Sequence, residues 1–196
     1  MDPVTHLLYL HGFRSSPQSA KARQTHAWLQ ANRPEVHWWC PQLPPSPWDA
    51  VQLVAEGTSG WPRDRMAVIG SSLGGFYATV LAERTGCRAV LLNPAIEPAR
   101  DLAGAIGENT AWHGEDRFFF QPRFIDELVT LRPGAVTRPE RYFAVIAKGD
   151  EVLDWREMSA RYAGCRVKLI DGGDHGLTDF ARSHLPDVVA FLGLTS

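Results

Sequence analysis

The sequence predicts an α/β domain in which a mainly parallel sheet of about six strands carries helices on both faces. Two observations lead there. Short runs of aliphatic and aromatic residues recur along the chain, each closed by turn-forming residues, and helical patterns fill the intervals. Most of the runs are continuously apolar rather than alternating, as expected of strands covered on both faces.

The runs, in order, are "HLLYLHG" (6–12), "VHWWCP" (36–41), "MAVIGS" (66–71), "AVLLNP" (89–94), "YFAVIAKG" (142–149) and "CRVKLIDGG" (165–173). Between the second and third, "SPWDAVQLVAEG" predicts a helix, with Ser46 as N-cap, Pro47 at the first helical position and Asp49 three residues after the cap. After the third, Leu73, Phe76, Tyr77, Val80 and Leu81 recur at the spacing of an amphipathic helix that Gly86 can end. "LPDVVAFLGL" supplies a last helix. One stretch, 95–141, breaks the rhythm: it has no strong strand signal and carries Trp112, Phe118, Phe119, Phe120 and Phe124. It is either a lid over a site or a helical excursion packed on the sheet edge.

The 196 residues suit a single domain spanning 1–196. Charge is nearly balanced, with 20 Lys and Arg against 22 Asp and Glu, which argues against a nucleic-acid partner. No apolar run approaches the ~20 residues needed to cross a bilayer. The start lacks the features of a signal peptide, so the expected compartment is the cytoplasm. Cys40, Cys87 and Cys165 lie far apart without metal-ligand spacing and read as buried thiols.

The chemistry concentrates in "GSSLGG". Gly70, Ser72 and Gly74 spell G-x-S-x-G, placed between a buried strand and a helix, the context of a nucleophile elbow. Such a turn forces its serine into a strained backbone conformation with the hydroxyl at the apex, and small residues two places either side relieve the crowding. A phosphate-binding loop would need a P-loop lysine or G-x-G-x-x-G spacing, and neither is present.

A serine hydroxyl needs a base, and in α/β-hydrolases the order is nucleophile, acid, histidine. Of the three histidines after Ser72, His175 follows the last strand on a loop loosened by Gly172, Gly173 and Gly176. His113 and His184 read as surface residues. The acid is expected at the carboxyl end of a strand, where Asp150 stands in "AKGDEVLDW". Asp154 is the alternate, although with Glu157 it also forms a capping box for the helix that follows. Asp171 and Asp174 lie too close to His175 in sequence to orient it. An oxyanion hole needs two backbone amides, expected at Leu73 and at Phe13 in the loop after the first strand, with His11 shaping that loop.

Taken together, "LYLHGFRSSPQSAKA", "GSSLGGFYA", "LLNPAI", "GDEVLDW" and "GGDHGLTDF" resemble the YqiA-like family of small bacterial esterases, within the α/β-hydrolase superfamily. The resemblance implies a compact α/β-hydrolase core, a triad at Ser72, Asp150 and His175, no metal or organic cofactor, and small-molecule ester or acyl thioester substrates. Trp112, Phe118, Phe119 and Phe120 either wall an acyl pocket or pack into the core. Arg14, Lys21 and Arg23 offer cations to an acyl-coenzyme A phosphate or form a solvated face. Two rival functions are a binding protein that keeps the fold without turnover and a metal-dependent hydrolase built on His11, Asp150 and His175.

Overall fold

Each of the six apolar runs forms a strand of one sheet in the structure, a computed structural model that describes residues 3–111 and 117–195. These are β1 (His6–Leu10), β2 (His37–Trp39), β3 (Met66–Ser71), β4 (Arg88–Leu92), β7 (Tyr142–Ala147) and β8 (Arg166–Ile170). The two remaining strands, β5 (Gly107–Thr110) and β6 (Arg117–Phe120), pair with each other alone. In the main sheet the order is β2-β1-β3-β4-β7-β8 and every pairing is parallel.

Burial on both faces accounts for the unbroken apolar runs. Leu8, Leu10, Val68, Leu91, Ala144 and Ile146 face one core. Their alternates Leu7, Tyr9, Ala67, Ile69, Val90, Val145 and Phe143 face another. The first core is covered by α2 (Pro47–Gly57), α3 (Leu73–Thr85), α5 (Arg123–Leu131) and α6 (Trp155–Arg161). The second is covered by α1 (Ala20–Asn32), α7 (Phe180–Ser183) and α8 (Leu185–Phe191). One short helix, α4 (Pro98–Asp101), follows β4.

Local signals behave largely as their chemistry dictates. Ser46 caps α2, its Oγ accepting from the Asp49 amide at 3.1 Å, and its hydroxyl donates at 2.7 Å to Glu127 of α5. Gly86 ends α3 in the left-handed conformation, φ 75°. By contrast, α3 is not amphipathic: every residue from Leu73 to Ala82 is buried, because the helix packs on β1, β3 and β4 and against α2.

Three expectations need correction. The 95–141 stretch holds an antiparallel hairpin, β5 and β6, with Gly107 opposite Phe120 and Thr110 opposite Arg117. The polar "GENT" strand gave no apolar signal to find it by. His184 is buried rather than exposed, with Nε2 3.1 Å from Asp179 Oδ1. Of the three free cysteines only Cys87 is buried, the other two being half-buried. Among the described residues no helix is long and apolar enough to cross a membrane.

Candidate active site

The strand order places a crevice. β1 has β2 on one side and β3 on the other, so successive connections leave in opposite directions at the carboxyl ends of β1 and β3. Parallel register aligns Leu10 with Gly70, Ser71 with Leu92, and Ala147 with Ile170. The loops beyond those ends bring Gly12, Ser72, Asn93, Asp150 and His175 to one edge of the sheet.

Ser72 sits at the junction of β3 and α3 with φ 55° and ψ −121°, a conformation side chains rarely adopt. Packing holds it there. A Cβ on Gly74 would lie 2.0 Å from the Leu10 carbonyl oxygen, and one on Gly70 would lie 2.2 Å from that of Gly74. One on Gly75 would lie 2.6 Å from the Pro94 side chain. The Ser72 amide donates to Leu92 O at 3.0 Å, and Ser72 O accepts from the Gly75 and Ala95 amides. The turn is therefore fastened to β1 and to the chain just after β4.

The Ser72 hydroxyl lies 3.0 Å from His175 Nε2, and His175 Nδ1 lies 2.8 Å from Asp150 Oδ2. The consistent assignment has Nδ1–H donating to the carboxylate and Nε2 accepting from the serine. The Asp150 side chain is fully buried, and its other oxygen accepts from the Val152 and Leu153 amides, each at 2.8 Å. Two backbone donors and one imidazole donor thus satisfy a carboxylate withdrawn from water.

Asp154 stands apart from this chain of bonds. It caps α6, Oδ1 accepting from the Arg156 amide at 2.9 Å, and its side chain is half-exposed. The expected capping box is only half made, since Glu157 turns away to pair with Arg100 at 2.7 and 2.8 Å. Asp171 pairs with Lys148, and Asp174 accepts from Thr178; neither bonds the imidazole.

The loop after β1 lies against the elbow. A Cβ on Gly12 would meet Ser72 Cβ at 3.2 Å. His11 shapes this loop, its Nδ1 3.0 Å from Gly12 O and its Nε2 accepting from the Leu43 amide at 3.0 Å. Phe13 packs edge-on against Phe118 and Phe120, with centroids 5.7 and 5.3 Å apart. Arg14, at φ 60°, donates from Nε to Thr110 O at 2.6 Å. The β5–β6 hairpin thus buttresses the loop that carries Phe13. Beside it opens a cavity of about 660 Å³, whose lining includes Phe13, Leu73, Tyr77, Leu53 and Phe118, with Arg14, Arg117, Asp49 and Glu56 also contributing.

The four aromatic candidates separate. Phe118 lines this cavity, Phe120 is buried against Phe13 and Phe124, and Phe119 is 56% exposed. Trp112 and His113 lie outside the described residues. The three cations separate as well. Arg14 is at the cavity, Arg23 is exposed, and Lys21 is half-buried with its ammonium 2.6 Å from Gly176 O. Among the described residues, no three His, Cys, Asp or Glu side chains converge to hold a metal ion.

Sequence reasoning missed two side chains here. Asn93, buried and at φ 43°, donates from Nδ2 to the carbonyls of Asp174 and His175 at 3.0 and 3.1 Å, while its Oδ1 accepts from the Ala147 amide at 2.8 Å. Glu151 accepts from the His175 amide at 3.0 Å. The one available signal was an Asn-Pro pair directly after a buried strand, which marks a turn but not a partner.

An all-parallel sheet with helices on both faces and a left-handed serine at a strand–helix turn defines the α/β-hydrolase fold. Solved structures agree. Alpha/beta hydrolase domain-containing protein 10 from mouse superposes with a TM-score of 0.68 at 16% identity, over 98% of this chain and 92% of the other. A structure from the work on LipS and LipT, two metagenome-derived lipolytic enzymes, superposes with 0.70 at 18% identity over 98% and 95%. Est1E from Butyrivibrio proteoclasticus gives 0.67 at 14% identity over 98% and 87%. At such identities the likeness is one of fold. Residues 6–193 match the family described as "Uncharacterised protein family (UPF0227)", the YqiA-like family, and the chain belongs to it.

Proposed function

We propose that the protein is a serine esterase that hydrolyses small carboxylic esters through an acyl-enzyme. The observation that carries this reading is the continuous set of contacts from Ser72 through His175 to the buried Asp150, at 3.0 and 2.8 Å, with the serine held in a strained turn. In the first half-reaction Ser72 Oγ attacks the acyl carbonyl while His175 Nε2 takes its proton. The amides of Phe13 and Leu73 stabilise the oxyanion. His175 then protonates the departing alcohol, leaving an acyl-serine and a free alcohol. In the second, His175 deprotonates a water that attacks the ester, and carboxylic acid and free serine are released. Asp150 holds the imidazole in the Nδ1–H tautomer and stabilises its charged form.

The apolar part of the cavity, with Leu73, Tyr77 and Phe118, suits the acyl portion of the substrate. An acyl-coenzyme A substrate is the nearest alternative. Against it, Lys21 bonds Gly176 O and Arg14 bonds Thr110 O, so these two cations are engaged within the protein rather than offered to a phosphate.

The test is labelling by a fluorophosphonate beside p-nitrophenyl butyrate hydrolysis, for wild type and Ser72→Ala. Labelling and turnover that both vanish in the variant support the esterase. A folded wild type that does neither favours a binding protein on the same fold. Turnover that survives the variant but is abolished by a chelator points to the metal-dependent rival.

A further inference from the structure

His175 rides on a loop with little regular backbone support. Gly172 and Gly173 have φ of 80° and 78°, and Leu177 has φ 50°. Left-handed residues on both sides of an imidazole leave its position to be set by bonds from elsewhere. The Gly149 amide holds Gly172 O at 2.9 Å and Asp150 holds the imidazole, and Asn93 and Glu151 add three bonds from neighbouring strand ends. One more is different in origin. Lys21, in the first turn of α1, reaches across to donate from Nζ to Gly176 O at 2.6 Å. The helix that carries it follows directly on the loop containing Phe13.

Resting on the esterase reading, we propose that Lys21 is a positioning residue that pins the His175 loop to the helix following the oxyanion loop. Base and oxyanion donors are then held at one spacing across the crevice. Activation of Ser72 needs both at once, and a displacement of about an ångström at either is enough to cost much of the rate.

A lysine is an expensive residue for this position, which argues against simple filling of space. Dehydration lowers its ammonium to about 8, and the facing carboxylates of Asp174 and Asp150 offset only part of that. Methionine has a similar length and carries no charge to dehydrate. A neutral side chain would not carry that dehydration cost, whereas the ammonium makes a bond to Gly176 O that a methionine cannot make.

The test compares wild type with Lys21→Met and Lys21→Gln by amide hydrogen exchange, by steady-state hydrolysis of p-nitrophenyl butyrate, and by thermal midpoint. For Lys21→Met, the amides of 175–177 are expected to exchange roughly tenfold faster while the rest of the sheet is unchanged. With them, kcat falls about tenfold or more at a KM within about twofold, and the midpoint stays level or rises. Lys21→Gln keeps a shorter donor and recovers part of kcat. Unchanged loop exchange overturns the proposal. So does a lowered midpoint with exchange faster throughout the molecule, the mark of a purely structural residue. If the wild type shows no Ser72-dependent turnover, the esterase reading fails by itself, and the local exchange result still decides whether Lys21 holds the loop.

Discussion

The Gly70–Gly75 turn that holds Ser72 and the β5–β6 hairpin both touch the crevice, yet they are built by opposite means. In the turn, from Gly70 to Gly75, each glycine is dictated by a backbone or ring atom closer than any Cβ tolerates. The hairpin has only its own two strands for backbone pairing and reaches the rest of the molecule through side chains: Phe118 and Phe120 on Phe13, and Thr110 O on Arg14. Backbone-to-backbone packing leaves no freedom to adjust, whereas side-chain contacts can be exchanged for others of similar volume. On the esterase reading, the chemistry is mounted on the inflexible part, and the wall facing the cavity is assembled from replaceable pieces.

Substitutions can break that contrast. The largest effect is expected from Asp150→Asn, which leaves the imidazole without its carboxylate and should lower kcat for p-nitrophenyl butyrate by about 10⁴-fold. The companion Asp154→Ala should leave the rate within about twofold and lower unfolding free energy by about 1 kcal/mol, the loss of a helix cap. Comparable rate losses in both would mean that the two carboxylates share the role. Next comes Gly74→Ala, whose methyl meets the Leu10 carbonyl oxygen at 2.0 Å. Urea unfolding should show a loss of ~3 kcal/mol or more. A well-folded variant would show that the turn can yield after all.

Within the hairpin, the expected outcomes divide by side chain. Phe120→Ala removes a ring that is 1% exposed and should cost about 3 kcal/mol in urea unfolding. Phe119→Ala, at a position 56% exposed, should change stability by less than ~0.5 kcal/mol. If the two cost the same, the hairpin is not seated through its inner face and the contrast with the turn is drawn wrongly.

The same contrast explains what could be read from the sequence. The six strands were legible because double-sided burial writes itself as uninterrupted apolar runs, and the capped and glycine-ended helices followed from local chemistry. Ser72, His175 and Asp150 were legible as a constellation because an elbow is specified by small residues at fixed offsets. The contacts among them could only be seen in three dimensions. The hairpin was not legible, since Gly107–Thr110 is polar and gives no strand signal of its own. Asn93 escaped notice, and Lys21 was noted only as a cation for a phosphate or a solvated face, for a related reason. Each acts on backbone carbonyls far along the chain, and a carbonyl leaves no trace in residue identity. His184 was misread because one polar contact, to Asp179, suffices to keep a histidine inside.

The order in which the chain is made adds a consequence to the strand order. Gly12, Phe13, Ser72 and Leu73 all belong to the first half of the polypeptide, and β1, β3 and β4 lie side by side, so the strained serine can form early in synthesis. His175 is carried beyond β8, the last of the described strands in chain order and one of the two at the sheet's edges. On the esterase reading, a growing chain holds a serine without a base until the segment beyond β8 has been made. A chain cut between α6 and β8 would keep the turn and lose the chemistry. On that reading, activity reports that β8 has docked and brought His175 to the Ser72 turn.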